Sequence, residues 1–289
     1  MKKIYILILL IGTSCMQSCL NNNFLEKYPL DQQTEETAFF SYENFQTYAW
    51  NFYSYLEVDA GPTSLESGPV STSIFDCYSD NGFYGSPNEE NPWVWQTVTV
   101  PSTTDEWDVP YTRIRAINIM LDHIDDSDLD EDEKKHWRSV GYFFKANEYY
   151  RLISFFGSAI WVENTLKDND DDILYAKRMP RAELAQKVLD MLLYARDNIK
   201  AEGDGENTIN RDVVLALISR FGLFEGTWEK YHSISEGTDY LQACFEASAE
   251  LVMKHPTVHP NYDELFNSES LAGKDGILLY KNFLSDGKG

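Results

Sequence analysis

The sequence predicts a mainly α fold of stacked helix pairs with long irregular loops. Three observations carry this. Apolar residues recur every three or four positions over most of the chain after Ser41, the spacing of one face of an α-helix. Start and stop signals bracket those runs, with Asn210 as a cap and Gly157, Pro256 and Pro260 as ends. Connections after residue 130 are short, so successive amphipathic helices must cover each other's apolar flanks.

Taken in order, Ser41 can cap a helix running to about Leu56, with Phe45, Tyr48, Phe52 and Tyr55 on one stripe. Residues 58–104 break the pattern with Gly61-Pro62, Gly68-Pro69, Gly82, Gly85 and Pro87. This long irregular segment is too rich in aromatics for a flexible linker. Helix returns near Asp105, where Trp107, Tyr111, Ile114, Ile117, Leu121 and Ile124 make one apolar face. Pro110 suits only a first turn, so the regular helix is expected to begin nearer Asp108. The next helix spans about Asp130 to Phe156, its core side including Trp137, Val140, Phe144, Leu152 and Phe155. Pro180 opens another, with Leu184, Val188, Leu192, Ala195 and Ile199 facing inward. Asn210 starts the one through Val214, Leu217, Phe221 and Trp228, and a last helix covers about Asp239 to Lys254. Gly276 to Tyr280 reads as a strand. A lone strand cannot form a sheet, so the sequence is expected to be truncated, with a partner segment missing.

The first residues read as an export leader. Met1-Lys2-Lys3 is basic, and Ile4 to Ile11 is an apolar run too short to span a bilayer. Cys15 and Cys19 follow it. A Cys just after such a run is a lipid acceptor, and acyl chains add about 0.8 kcal/mol per buried methylene. Cys19 is the chosen acceptor and Cys15 the alternative. This divides the chain into a leader at 1–18, a lipidated tether at 19–33 that includes Leu20-Asn21-Asn22-Asn23, and a helical domain at 34–289. Cys77 and Cys244 remain. Export permits a disulfide between them, and two separate thiols fit the sequence equally.

Composition narrows the partners. Lys and Arg total 24 against 47 Asp and Glu, a net charge of −23, which repels phosphate backbones and argues against nucleic acid as a partner. Metal chemistry finds no support. Asp126, Asp128 and Asp130 are spaced as calcium-loop ligands, but Glu131 stands where the loop needs Gly and Trp137 where it needs Glu. Asp168, Asp170 and Asp172 fail in the same way at Ile173 and Met179. Asp130 to Glu133 are better read as acids favoured at a helix N-terminus. The five histidines are scattered and HExxH is absent. Gly203 and Gly205 read as a turn, since Thr208 replaces a third glycine, and GxSxG does not occur. No pair of carboxylates is singled out for glycoside hydrolysis. No cofactor and no catalytic residue are indicated.

The chain holds 7 Trp, 18 Tyr and 16 Phe. Within residues 75–95, Phe75, Tyr78, Phe83, Tyr84, Trp93 and Trp95 alternate with Asp76, Asp80, Asn81, Asn88 and Asn91. Sugar rings have apolar faces and hydroxyl rims, so a site for them needs flat aromatic platforms edged by Asp or Asn. The same rings would also serve to pack the loop onto the helices.

An ordered set of residues carries a resemblance. Cys19 is followed by Phe24-Leu25-Glu26, Pro29, Tyr42-Glu43-Asn44 and Tyr53. Then come Trp107, Tyr111, Ile114-Arg115, Asn118 and Leu121, and the run Phe143 to Leu152 with Phe156-Gly157. Met179-Pro180-Arg181 precedes Arg211 to Gly226, which holds Ala216, Arg220 and Phe224; Tyr240 to Cys244, Tyr262 and Leu265-Phe266 close the set. The chain resembles the SusD/RagB family of Bacteroidetes outer-membrane lipoproteins over nearly all of its mature length. The resemblance implies tetratricopeptide-like helix pairs as a scaffold for loops. It also implies a lipid-anchored protein on the cell surface that binds glycans or other nutrients for a SusC-like TonB-dependent transporter, without being an enzyme. The family's ligand residues lie partly in the loop before the Trp107 helix, which places Asp80, Asn81, Trp93 and Trp95 as the candidate glycan site by loop and residue type. Two departures stand out. The family's acidic-Arg-Ala pattern is here Phe144-Lys145-Ala146, and its members are typically much longer. The competing readings are a helical-repeat interaction lipoprotein that binds no sugar and, well behind, a glycan hydrolase.

Overall fold

The structure is a computed structural model and describes residues 39–56, 102–167 and 170–281. The leader, the tether and most of loop 58–104 lie outside these residues. Eight α-helices are present among the described residues, in chain order. They are α1 (Tyr42–Trp50), continued by a 3-10 turn Asn51–Tyr55, α2 (Asp105–His123), α3 (Glu131–Phe156) and the short α4 (Asp171–Leu174). After these come α5 (Arg181–Asn198), α6 (Arg211–Tyr231), α7 (Thr238–Lys254) and the short α8 (Tyr262–Phe266). The long helices pack as a series: α2 on α3, α3 on α5, α5 on α6 and α6 on α7. The stacked-pair architecture expected from periodicity is the architecture observed.

Local chemistry sets the helix ends. The Asp130 carboxylate accepts the N–H groups of Asp132 and Glu133 at 3.0 and 2.9 Å, while Glu133 reaches back to the Asp130 N–H at 3.1 Å. Asp130 is thus spent on a capping box. At the other end of α3, Gly157 takes a φ of 71°, and its N–H bonds Ile153 O at 2.9 Å. Asn210 caps α6 by accepting the Val213 N–H at 3.1 Å.

Helix α3 lies between α2 and α5 and is buried along most of its length, including Trp137, Val140, Phe144, Leu152 and Ile153. Leu184, Val188, Leu192 and Ala195 of α5 and Val214 and Phe221 of α6 complete the core as expected. Helices α6 and α7 approach closely at glycines. A Cβ on Gly222 would stand 2.5 Å from Tyr240 O, and one on Gly226 would stand 3.1 Å from Gly237 O.

Three local expectations are corrected. Helix α2 begins at Asp105, so Pro110 sits buried in its second turn and removes one ladder bond there. Phe155 shares the periodicity of Phe144 but falls in the last turn of α3, where it stays 47% exposed. Residues 276–280 form turns and bends instead of a strand. A side-chain amide supplies the pairing a sheet would have given, because Asn207 accepts the Tyr280 N–H at 3.0 Å and donates to Tyr280 O at 2.8 Å. Leu278 and Leu279 pack on the core. The β-pairing among the described residues is a single isolated bridge between Ala159 and Met179.

Candidate functional site: a polar cleft beside the clamped segment 158–167

The chain leaves α3 at Gly157 and runs without helix along 158–167. Its backbone polar groups therefore need partners from elsewhere. Side chains of α2 and α3 supply them. The Tyr111 hydroxyl accepts the Ile160 N–H at 2.8 Å and donates to Ile160 O at 3.0 Å. The Tyr149 hydroxyl accepts the Val162 N–H at 2.7 Å. Asn118 donates to Val162 O at 3.3 Å, Lys145 to Glu163 O at 2.7 Å and Arg115 to Leu166 O at 2.7 Å. The Asp122 carboxylate accepts the Thr165 N–H at 2.8 Å. Tyr111, Arg115 and Asn118 are positions that carried the resemblance, and Lys145 and Tyr149 lie in the run Phe143 to Leu152. Their common task is to hold this segment against the two helices.

The clamped segment forms one wall of an open cleft of about 620 Å³. Asp122 and Asp125 bound it at the end of α2; Arg138, Tyr142 and Lys145 face it from α3; Thr165 lines the wall. Positions 138, 142 and 145 follow helical spacing, which is why one face of α3 presents all three. Lys145 is 2% exposed. Burial holds its ammonium down to about 8 against the ordinary lysine value, despite the attraction of Glu163 and Asp122. The same ammonium lies 4.9 Å from the centre of the Trp161 ring. The Tyr149 hydroxyl is pushed well above the ordinary tyrosine range, chiefly by burial. On the α4 side of the segment is a smaller, more apolar pocket of about 280 Å³ lined by Tyr111, Ile114, Val162, Leu166 and Leu174 among others.

The residues expected to bind glycan, Asp80, Asn81, Trp93 and Trp95, and the expected lipid acceptor Cys19 all lie outside the described residues. The helices that flank their loop are described. Arg113 of α2 donates to Tyr55 O at 3.4 Å, lies over the Tyr55 ring at 5.2 Å and pairs with the buried Glu148 of α3 at 3.4 Å. Trp107, in the first turns of α2, packs on Phe156 at 5.0 Å and carries the Arg178 guanidinium on its face at 4.4 Å. The frame on which the loop begins and ends is thus tied to the core. Asp122 stands 17 residues beyond Asp105, on the order of 25 Å along α2. The cleft therefore opens at the opposite end of α2 from the root of the loop.

Sequence reasoning did not find the cleft. The one available signal was Lys145, where the chain departs from the family's acidic-Arg-Ala pattern. Among the described residues Cys244 has no disulfide partner, and its Sγ lies 3.8 and 3.9 Å from the hydroxyls of Ser219 and Ser248; Cys77 lies outside the described residues. Among the described residues, no group of three His, Cys, Asp or Glu side chains is placed to hold a metal ion. No described helix is long and apolar enough to cross a membrane.

Comparison with known proteins places the chain. Residues 23–223 match the SusD-like family described as starch-binding and associating with the outer membrane. Solved structures share the fold. A SusD homolog from Bacteroides thetaiotaomicron aligns with a TM-score of 0.62 at 19% identity, over 81% of this chain and 45% of its own. A SusD-like carbohydrate-binding protein from Bacteroides fragilis gives 0.60 at 19% identity, over 79% of this chain and 44% of its own. A laminarin-binding SusD-like protein gives 0.57 at 15% identity, over 80% of this chain and 50% of its own. No curated protein matches the sequence. The chain spans 40% to 50% of the length of the solved SusD-like chains it resembles. It belongs to the SusD-like family.

Proposed function

We propose that this SusD-like chain is part of a lipid-anchored cell-surface protein that binds oligosaccharides or polysaccharides and delivers them to a SusC-like TonB-dependent transporter, without turning them over. The observation that carries this reading is the family match over residues 23–223 on the expected helical stack. In this reading Cys19 carries the lipid. Trp93 and Trp95 offer ring faces to sugar rings, and Asp80 and Asn81 bond the hydroxyl rims. The laminarin-binding relative supports a polysaccharide as the ligand. Affinity is modest, because hydrogen bonds in an open site replace bonds to water. The helices supply the fixed frame that a stacking loop requires. Arg113 and Glu148 secure its entry, and Trp107 secures its exit.

The test uses the native protein. It is tagged at its C-terminus, the outer membrane is extracted in mild detergent, and masses are determined for everything that elutes. The expected result is diacylglycerol on Cys19 and a co-eluting TonB-dependent barrel. An unlipidated protein eluting alone would sink the import reading.

A second reading, an interaction lipoprotein without sugar binding, draws on the outer face of α7. Phe245, Val252 and Met253 are 67%, 65% and 85% exposed there, opposite the buried Tyr240, Ala243 and Ala247. Such a face suits a protein neighbour. This reading predicts a co-eluting protein and no retention on any polysaccharide.

A further inference from the structure

The acids of the polar cleft already have partners. Asp122 accepts the Thr165 N–H at 2.8 Å, and Asp125 takes the Arg138 guanidinium at 2.6 Å. Glu163 accepts the Trp161 indole N–H at 2.5 Å and lies 3.9 Å from the Lys187 ammonium, while Asp170 accepts the Lys167 N–H at 2.8 Å. Lys145 is not matched in the same way. Lys145, 2% exposed, gives one N–H to Glu163 O at 2.7 Å, yet an ammonium has three to give. Among the described residues no carboxylate stands within ion-pair distance of it. In the wall beside it, the buried Thr165 hydroxyl has no hydrogen-bond partner among the described residues. A buried ammonium with N–H groups left over and a buried hydroxyl without a partner among the described residues are each costly. Lys145 and Thr165 both line one cavity of about 620 Å³, a size common for small-molecule sites.

We propose that this cleft is a second ligand site, one that takes the carboxylate of an acidic sugar on Lys145 and Thr165. A carboxylate has two oxygens, enough to accept from both the ammonium and the hydroxyl. The surrounding acids set the charge of the ligand. Asp122, Asp125, Glu163 and Asp170 repel a dianion such as phosphate more than a singly charged carboxylate. The rest of the ligand meets a polar wall, where Asn164, Tyr142 and the remaining acceptor positions of Asp122 suit ring hydroxyls. The lining residues named here all belong to α2 and the residues just after it, α3 and the segment that follows α3, so the proposal is tested separately from the stacking loop.

Calorimetric titration of the full chain with D-glucuronate, D-glucose and inorganic phosphate tests this. D-Glucuronate binds, and at least about tenfold more tightly than D-glucose, the effect of one charge-assisted hydrogen bond. Lys145→Met and Thr165→Val each weaken glucuronate by a similar factor. Thr165→Val keeps the side-chain shape, so it reports on the site even where Lys145→Met disturbs the clamp and fails to fold. Four results would overturn the proposal: no glucuronate binding, equal affinity for glucose, tighter binding of phosphate, or glucuronate affinity that survives both site variants. If both cleft variants lose glucuronate but keep neutral glycans, the two sites are separate. If neutral glycans never bind, the loop reading fails and the cleft is unaffected.

Discussion

The two sides of the helix stack cohere by different means. Around α6 and α7 the fit is one of shape, since Gly222 and Gly226 let the helices approach until a single methyl group would strike backbone oxygen. One buried polar element of that side, Arg181 with Glu225, is compact and matched. The Arg181 guanidinium gives Nε–H and an Nη–H to one carboxylate at 3.0 and 2.8 Å and lies on the Trp228 ring at 3.9 Å. Around α2 and α3 the cohesion is directional. Single hydroxyls, an amide and an ammonium bind the backbone of a segment that has no regular structure. Most of the buried polar atoms without a hydrogen-bond partner among the described residues are also on that side. They are Asn118 Oδ1, His136 Nε2, Trp137 Nε1 and Thr165 Oγ1, against Trp228 Nε1 alone in α6. The shape-matched side is built for stability. The directional side keeps polar groups in reserve, as expected where ligands bind.

The comparison can be broken most forcefully at the buried pair. Glu225 is 1% exposed, and burial raises its carboxyl above the ordinary range even beside Arg181. Glu225→Ala strands the guanidinium between Phe224 and Trp228. Urea unfolding at neutral pH is expected to lose about 3–5 kcal/mol. A loss under about 1 kcal/mol would mean that the pair is solvated and the shape-matched side is not as described.

Acid tests the directional side next. His136 is fully buried in α3, and desolvation holds its imidazole down at about 4 against an ordinary 6.5. The unfolded chain therefore takes the proton first as pH falls. The stability this neutral ring contributes is complete above pH 6.5 and drains away towards pH 4, by about 3 kcal/mol at most. Melting curves across that window should fall more steeply for the native chain than for His136→Phe. Parallel slopes would place the acid sensitivity in the carboxylates alone.

A smaller effect is expected from Gly222→Ala, which forces α7 away from α6 and should cost about 1–3 kcal/mol in the same urea assay. The smallest concerns the clamp. Tyr149→Phe leaves the Val162 N–H without its acceptor, for a loss of about 1 kcal/mol. Hydrogen exchange should then quicken at 160–166 more than in α5 or α6. Uniform acceleration would show that the segment is integral to the core and not held separately by the clamp.

Much of the stack was legible because helix periodicity is local. A turn or two of sequence places the buried face of each helix, as Val140 and Phe144 do in α3 and Leu184 and Val188 do in α5. The start at Asn210 follows from a side-chain cap read directly, and the start of α3 from the acids Asp130 to Glu133, the first of which the structure shows to be the cap. Pro110 misled because the rule against internal proline concerns average cost, and one lost bond in the second turn of a well-packed helix is tolerated. The strand expected at 276–280 failed because its apolar residues answer to the core, and its backbone to Asn207, 73 positions away. No local pattern reports such a partner. The cleft was invisible for the same reason. Lys145, Asp122 and Thr165 converge only after α2, α3 and segment 158–167 have packed. The loop residues Asp80, Asn81, Trp93 and Trp95 are proposed from composition and resemblance and lie outside the described residues.

Native electrophoresis of the full chain through gels with and without laminarin or starch tests the central claim most directly. The account predicts retardation in at least one polysaccharide gel, diminished by Trp93→Ala and by Trp95→Ala. Unchanged mobility in every gel, or retardation that both variants keep in full, would contradict it.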